Sequence, residues 1–295
     1  ESKKLFSLYL ISNNPSKKRI AKIAKELNLR YKYNASKPRK KEISHAINEV
    51  NYEVKNIEPD MSFLEMLDIL NQGLIENGET LVQRIAIKFR EKKHFIVIDC
   101  GANKGEWTHL LYDEFVSNAN HQQYLTIYSF EPSSYTYDKL LNNTKNFNIS
   151  SNVETFSINK ALSNYEGQAE LNIVHPGAGV NSLVETQDNL VSEIEKVELT
   201  TLDIFTKKEN IAYIDLLKID AEGHDPVVLK GAHELISSQK IGIIQFEYNW
   251  RWIYGNHLLY DIFKSLTKYN YCIGKVTPSG IQFYKEYNVE LENFT

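Results

Sequence analysis

With 295 residues, 42% of them hydrophobic and 24% charged, the chain has the composition of a globular protein with a substantial core. Its mean hydropathy is −0.41, and no apolar run approaches the ~18 residues that a membrane-spanning helix needs. Two cysteines, Cys100 and Cys272, cannot by themselves build a disulfide framework or a zinc site. The N-terminal sequence does not resemble a signal peptide, so we predict a cytoplasmic protein. It could be part of a longer one, because its first residue is Glu1 rather than Met.

The formal net charge of −4 conceals a strong asymmetry along the chain. Residues 1–50 contain 13 Lys and Arg and 4 Glu, a net charge of +9, whereas the rest of the chain carries −13. A basic segment of this kind can contact nucleic acid, an anionic membrane or the acidic part of its own chain. The acidic remainder disfavours a long groove that follows a nucleic-acid backbone.

We predict that residues 1–56 form a basic helical extension, or the remnant of a preceding domain, and that residues 57–295 form the main domain. Apolar residues at helical spacing predict helices over 17–28, from 44 to about 56 and over 61–76, with a linker at 35–41. A further predicted helix, 80–92, leads into the first clear strand.

From residue 95 onwards strands and helices alternate, which is typical of a doubly wound, mostly parallel sheet with helices on both faces. The predicted strands are 95–99, 124–130, 153–158, 169–174, 196–201, 213–219 and 241–247, followed by a hairpin of 271–276 and 280–284. The predicted helices between them are 106–115, 135–146, 225–238 and 258–269. The fold class is therefore α/β, with seven strands in the main sheet and an antiparallel strand at its end.

The turn after the first of these strands indicates which ligand the sheet binds. Asp99 ends the strand and begins the small-residue turn DCGANKG, whose backbone N–H groups can receive a polar ligand. Dinucleotide-binding proteins place glycine at the position of Asp99, because a pyrophosphate must approach the backbone closely. A carboxylate there disfavours a diphosphate and favours S-adenosylmethionine, which carries a cationic sulfonium and an ammonium but no phosphate. Asp99 is expected at the methionine amino group, directly or through water, and the turn is formed by Gly101, Ala102, Asn103 and Gly105.

The second strand ends in the same way. Glu131 follows YLTIYSF at once, and an acid at this position can accept hydrogen bonds from both ribose hydroxyls. The adenine is expected near the end of the third strand, where Lys160 and Ala161 stand.

The densest group of ionisable residues is the segment KIDAEGHDP, residues 218–226. Because ligands bind outside the carboxyl ends of parallel strands, Asp220, Glu222 and His224 should lie at the same edge as the glycine turn. The structural alternative is that Asp225 caps a helix, that Lys218 extends to solvent and that the acids bind loop N–H groups.

Four motifs, DCGANKG, FEP, TTLDIF and LLKIDAEGHDPVVLKGA, resemble the FkbM-type S-adenosylmethionine-dependent methyltransferases over about residues 94–250. The resemblance implies a Rossmann-like methyltransferase sheet, and methylation of a hydroxyl group on a sugar, a glycan or another glycosylated acceptor. Asn181-Ser182 also resembles a small-residue loop of that family, which implies a place in substrate binding. Residues 1–55 resemble nothing in the family.

O-Methylation needs a hydroxyl aligned behind the methyl group, and a base that removes the hydroxyl proton late in the step. His224 has a suitable ordinary pKa, Asp220 is the competing base and also a candidate cofactor contact, and Glu222 could orient His224 or bind the acceptor. Metal assistance is a further possibility, because Asp220, Glu222 and Glu247 could supply oxygen ligands to Mg²⁺, Mn²⁺ or Ca²⁺.

The segment EYNWRWIY, residues 247–254, is the candidate acceptor site. Aromatic rings pack against the C–H faces of sugars, and Asn249 and Arg251 can bind hydroxyls beside Glu247 and Trp250. The alternative is that these aromatic residues only cover the sheet. Their alternate spacing places all of them on one face of a strand but distributes them around a helix.

Two other functions remain open. An RNA ribose 2′-O-methyltransferase would use the basic N-terminal segment to bind phosphates, although such enzymes rely on lysines that this acidic edge largely lacks. A non-catalytic module that binds S-adenosylmethionine would bind the cofactor without turnover.

Overall fold

The computed structural model describes residues 7–12, 79–89, 93–118, 122–145, 147, 152–185, 191–277, 280–284 and 286–292. The predicted helices at 17–28, 44–56 and 61–76 and the linker at 35–41 lie outside these residues. Among the helices that the structure describes, none is long and apolar enough to cross a membrane.

The elements predicted from residue 80 onwards occur in the predicted order, and the structure adds strands at 7–12 and 161–162 and helices at 202–208 and 251–254. The helices are α1 (Glu79–Phe89), α2 (Glu106–Asn118), α3 (Ser134–Thr144), α4 (Leu202–Lys208), α5 (Asp225–Lys230), α6 (His233–Ser237), α7 (Arg251–Tyr254) and α8 (Leu259–Thr267). The strands are β1 (Ser7–Ser12), β2 (His94–Cys100), β3 (Tyr124–Phe130), β4 (Val153–Ile158), β5 (Ala161–Leu162), β6 (Gly167–Ile173), β7 (Glu193–Thr200), β8 (Ile214–Ile219), β9 (Ile241–Tyr248), β10 (Cys272–Thr277) and β11 (Gly280–Tyr284).

The main sheet has the order β11-β10-β1-β9-β8-β2-β3-β4. Its five strands from β9 to β4 are parallel, and β2, β8 and β9 are apolar and buried almost throughout because helices cover both faces. The prediction of an α/β fold with a parallel central sheet is confirmed. The predicted terminal hairpin is also present, with β10 antiparallel to β11.

The described part of the main sheet contains eight strands rather than the predicted seven. The additional strand is β1, which lies between β9 and β10 and is antiparallel to both. Its sequence, SLYLIS, is a short apolar run of the kind that strands favour. Residues 7–12 therefore form a strand within the region for which the sequence predicts a helical extension.

The predicted helix 225–238 is two helices, α5 and α6, with a break at Gly231 and Ala232. A Cβ atom on Gly231 would lie 1.9 Å from the carbonyl oxygen of Ser163, so the backbones touch at this point. The Gly231 carbonyl accepts a hydrogen bond from Asp203 N–H, which directs it away from a continuous helix. Close packing of the chain decides this boundary, and helical spacing alone does not reveal it.

A smaller sheet of order β5-β7-β6 follows β4 along the chain. It contains the two additional strands that the sequence predicts at 169–174 and 196–201, observed as β6 and β7. The carboxyl ends of β2, β3, β8 and β9 all lie at one edge of the main sheet, because these strands are parallel and adjacent in the pairing of β2 with β3 and β8 and of β8 with β9. The segments that follow them therefore converge.

Candidate active site

A cavity lies at this edge, with a volume of about 660 Å³ including space that is open to solvent. Its lining comes from the ends of β2, β3 and β8, from the start of the smaller sheet and from residues 178–183. Predicted site residues that line it are Gly101, Asn103, Glu131, Lys160, Ala161, Asn181, Ser182, Asp220, Glu222 and His224.

The glycine turn is held by the neighbouring strand. The N–H groups of Gly101 and Ala102 donate to the carbonyl oxygen of Phe130 at 3.0 and 2.9 Å. Gly101 has a φ of +74°, and a Cβ atom there would lie 1.9 Å from the carbonyl oxygen of Asp220. The turn therefore requires glycine at this position, both for its φ and for the close approach of β8. Ala102 is buried, and Gly105 completes the turn with a hydrogen bond to Ala102 at 2.8 Å.

Glu131 joins two loops at the cavity wall. One carboxylate oxygen accepts a hydrogen bond from Asn103 N–H at 3.0 Å, and the other accepts one from Ser133 N–H at 3.0 Å. Burial raises the pKa of the Glu131 carboxyl to about 7, although these two N–H groups act in the opposite direction. Each carboxylate oxygen has a second lone pair, so Glu131 can hold the turn and still accept a hydrogen bond from a ligand.

Asp99 does not line the cavity. Its carboxylate is fully buried, accepts a hydrogen bond from Thr108 Oγ1 at 2.6 Å and lies 3.4 Å from Lys218 Nζ. Lys218 Nζ also lies 3.4 Å from a carboxylate oxygen of Asp220. Asp99 is therefore a buried residue beneath the cavity lining, and a buried lysine lies between Asp99 and Asp220. The contact of Asp99 with the methionine amino group stays a prediction.

The residues expected near the adenine, Lys160 and Ala161, line the cavity where the smaller sheet begins. Ala161 is buried in β5, and Lys160 forms an exposed ion pair of 2.8 Å with Glu198. Asn159 Nδ2 donates to the carbonyl oxygens of Glu131 and Pro132. This wall is thereby tied to the end of β3, where the ribose is expected.

Asn181 and Ser182 end a loop that runs over the cavity. The side-chain oxygen of Asn181 accepts a hydrogen bond from Val174 N–H at 3.0 Å, which closes the loop. Ser182 Oγ donates to the carbonyl oxygen of Glu222 at 2.7 Å. The loop is therefore fixed to the acidic segment that follows β8.

Three carboxylates from two strand ends meet beside the cavity. Oxygen atoms of Asp220, Glu222 and Glu247 all lie within 4.8 Å of one another. Glu222 has a φ of +49°, unusual for a residue other than glycine, asparagine or aspartate. Burial raises the pKa of Glu247 to about 10, with further contributions from the charges of Asp220 and Glu222. In the absence of a cation, Glu247 therefore carries a proton at neutral pH.

The surroundings of His224 do not favour a strong general base. Its Nε2 lies 3.2 Å from Ser163 Oγ, and burial lowers its pKa to about 4, with smaller effects from His257 and Lys230. The imidazole is thus neutral at pH 7 but weakly basic. Asp225, one residue further on, is fully buried and receives a hydrogen bond from Gly223 N–H.

The aromatic segment after β9 forms the short helix α7, so its rings point in different directions. Tyr248 and Trp252 are buried in the core with their ring centroids 4.8 Å apart. Trp250 and Tyr254 are exposed and form a second edge-to-face pair at 5.5 Å. Tyr248 and Trp252 therefore cover the sheet, as the structural alternative states. Trp250 and Tyr254 keep exposed ring surface that a ligand can contact.

Arg251 and Asn249 are buried and bind other residues of the site. Arg251 is buried, donates to the carbonyl oxygen of Val180 at 2.9 Å, and has its Nε 3.5 Å from Glu222. Asn249 is also buried and donates to Glu247 at 2.9 Å. Both side chains therefore position other parts of the site.

Lys218 and Thr108 contact acidic residues of the site, although the sequence did not predict either of them as a site residue. The alternation of a strand puts residues 218 and 220 on the same face, which is a signal for Lys218. The pairing of Lys218 with Asp99 also needs the register between β2 and β8, which the sequence does not provide.

The comparison with protein families agrees with the architecture. The Methyltransferase FkbM domain matches residues 99–273, more than half of the chain. The chain belongs to this family of methyltransferases. An O-methyltransferase from Bacillus cereus, solved in complex with SAH, is similar at 16% identity and a TM-score of 0.28, covering 63% of this chain and 67% of that one. No curated protein matches the chain significantly.

The raised pKa of Glu131 predicts a pH dependence of stability in this methyltransferase. An unfolded glutamate releases its proton near pH 4.5, whereas the folded protein keeps it to about pH 7. The unfolded state therefore binds fewer protons in this window, and Glu131 by itself should lower the stability by up to about 3 kcal/mol as the pH rises through it. Denaturant unfolding between pH 4 and 8 should show this fall in wild type and a flatter profile in Glu131→Gln.

The matched control is Glu170→Gln, at an exposed position in β6. Its pH profile should run parallel to that of wild type. A Glu131→Gln profile that also runs parallel to wild type would contradict the assignment of the proton to Glu131.

Proposed function

We propose that the chain is an S-adenosylmethionine-dependent O-methyltransferase that methylates a hydroxyl group of a sugar, a glycan or another glycosylated acceptor. One observation carries the proposal. The glycine turn with Glu131, and the acidic segment with Asp220, line the same cavity, so a cofactor on one side faces an acceptor on the other.

The cofactor side favours a nucleoside without phosphates. Glu131 and Asp220 both line the cavity, and Lys160, its cationic neighbour, is paired with Glu198. A pyrophosphate would be repelled by the two carboxylates, whereas a sulfonium and an ammonium would be attracted. Glu131 is assigned to the ribose hydroxyls, the turn from Gly101 to Asn103 to the methionine part, and the wall at Lys160 and Ala161 to the adenine.

When bound, S-adenosylmethionine supplies an electrophilic methyl group, so the protein must orient the acceptor, exclude water and take a proton. Asp220 is the proposed base because it is part-exposed in the cavity. Glu247 is protonated and His224 is weakly basic, so neither suits this role at neutral pH. Glu222 and His224 are assigned to the acceptor and to the shape of the cavity.

The acceptor class follows from charge and ring surface. The acidic edge disfavours a phosphate-rich acceptor such as RNA, and the exposed Trp250 and Tyr254 lie beside Arg251, whose guanidinium is 5.2 Å from the Trp250 ring centroid. Exposed aromatic faces of this kind suit the C–H faces of sugars. Both cysteines are free thiols, in keeping with the proposed cytoplasmic location.

A divalent cation is the second proposed ligand. Asp220, Glu222 and Glu247 offer three oxygen atoms within 4.8 Å of one another, and a cation with oxygen bonds of about 2.0–2.6 Å can bridge such a set. Their mutual repulsion requires either the proton on Glu247 or a cation. A bound cation would hold the acceptor hydroxyl and lower its pKa.

The function is tested by radiolabelled methyl transfer from S-adenosylmethionine to a panel of methyl glycosides. Wild type should be active, and Asp220→Asn should lower kcat by about 10²–10⁴-fold, the range for loss of a general base. Its calorimetric affinity for S-adenosylmethionine should change much less. Asp113→Asn, an exposed aspartate on α2, is the charge-matched control and should keep wild-type activity. Equal losses of kcat and cofactor affinity in Asp220→Asn would contradict a catalytic role.

The cation proposal predicts that EDTA abolishes turnover and that Mn²⁺ or Mg²⁺ restores it. Glu247→Gln should weaken the binding of Mn²⁺ at least tenfold, measured by the electron paramagnetic resonance of the free ion. Full activity of wild type in the chelator would end the proposal and leave the proton on Glu247 as the stabilising charge.

A further inference from the structure

Lys218 is an unusual residue for the middle of a parallel sheet. It lies in β8, its side chain is only 5% exposed, and its Cα is paired across the sheet with that of Asp99 in β2. A buried charge of this kind is costly unless it is paired and hydrogen-bonded.

The ammonium group has three oxygen partners at the same distance. Its Nζ lies 3.4 Å from Asp99 Oδ1, 3.4 Å from Asp220 Oδ2 and 3.4 Å from the carbonyl oxygen of Gly101. The ring of Trp107 lies 5.8 Å away on another side. Lys218 thus contacts the end of β2, the glycine turn and the first residue after β8 simultaneously.

Lys218 stays cationic in this environment. Burial by itself would lower its pKa, but the charges of Asp99 and Asp220 outweigh burial and raise the pKa above its ordinary value. The positive charge of Lys218 therefore compensates the negative charge of one of the two neighbouring carboxylates. Because Lys218 keeps its proton, this compensation is not lost by deprotonation.

The two acids differ in what else they can do. Asp99 is fully buried, and its two carboxylate oxygens contact Lys218 and Thr108. Asp220 is 35% exposed at its side chain and lines the cavity. Asp99 therefore holds Lys218 in the core, whereas Asp220 can contact a ligand in the cavity.

We propose that Lys218 is a positioning residue for methyl transfer, anchored by Asp99 and holding the Asp220 carboxylate and the Gly101 turn in register at the cavity. This inference rests on the proposed function. It also assigns Asp99 a role through Lys218 instead of a direct contact with the cofactor. Lys218 itself touches no reacting atom, so its effect on turnover must pass through Asp220.

A double-mutant cycle in kcat tests this dependence, because residues that act together show a coupling that independent residues lack. The four proteins are wild type, Lys218→Met, Asp220→Asn and the double variant, assayed with the most active methyl glycoside. Lys218→Met should lower kcat at least tenfold in wild type and less than twofold in the Asp220→Asn background. Equal factors in both backgrounds, or wild-type kcat in Lys218→Met, would overturn the inference.

Lys218→Met leaves Asp99 buried without its cation and could fail to fold. The paired variant Asp99→Asn/Lys218→Met removes both charges, and such replacements of buried ion pairs are often neutral for stability. This variant should melt within a few degrees of wild type and still lose at least tenfold in kcat. A folded paired variant with wild-type kcat would overturn the inference. Wild type inactive on every acceptor would instead refute the proposed function, and the positioning role with it.

Discussion

The structure depends on the placement of negative charge at one edge of a parallel sheet. Four strands end side by side, and their ends bring Glu131, Asp220 and Glu222 to one cavity and Glu247 close to the last two. Repulsion between carboxylates in so small a volume has to be compensated. The protein does this with the buried cation of Lys218, with backbone N–H groups on Glu131, and with a proton on Glu247.

This compensation gives chemically similar residues different roles. Glu247 keeps its proton to about pH 10 and Glu131 to about pH 7, whereas His224 gains one only near pH 4. At neutral pH the site therefore presents a protonated acid, a titrating acid and a weakly basic imidazole around Asp220. In the proposed reaction the electrophilic cofactor requires little activation from the protein, whose main contribution is then to place the Asp220 carboxylate beside the acceptor hydroxyl.

The strand and helix order could be predicted because each parallel strand is an apolar run that ends at an acid or at a turn. Residues 124–130 and 153–158 were predicted to the residue, and the site segments follow from the rule that ligands bind at the carboxyl ends of strands. The roles within the site were less predictable. Asp99 contacts Lys218 of another strand instead of facing the cavity, the break at Gly231 depends on Ser163, and β1 joins the sheet from the far N-terminus. All of these are contacts between distant segments, which local pattern does not encode.

The most direct test of the charge argument is calorimetric titration of the wild-type protein with adenosine ligands that differ in charge. S-Adenosylmethionine and S-adenosylhomocysteine should bind, because they place an ammonium among the carboxylates and carry no phosphate. NAD and ATP, which share the adenosine but carry phosphates, should give no binding heat. Tight binding of NAD or ATP, with no uptake of S-adenosylmethionine, would contradict the account.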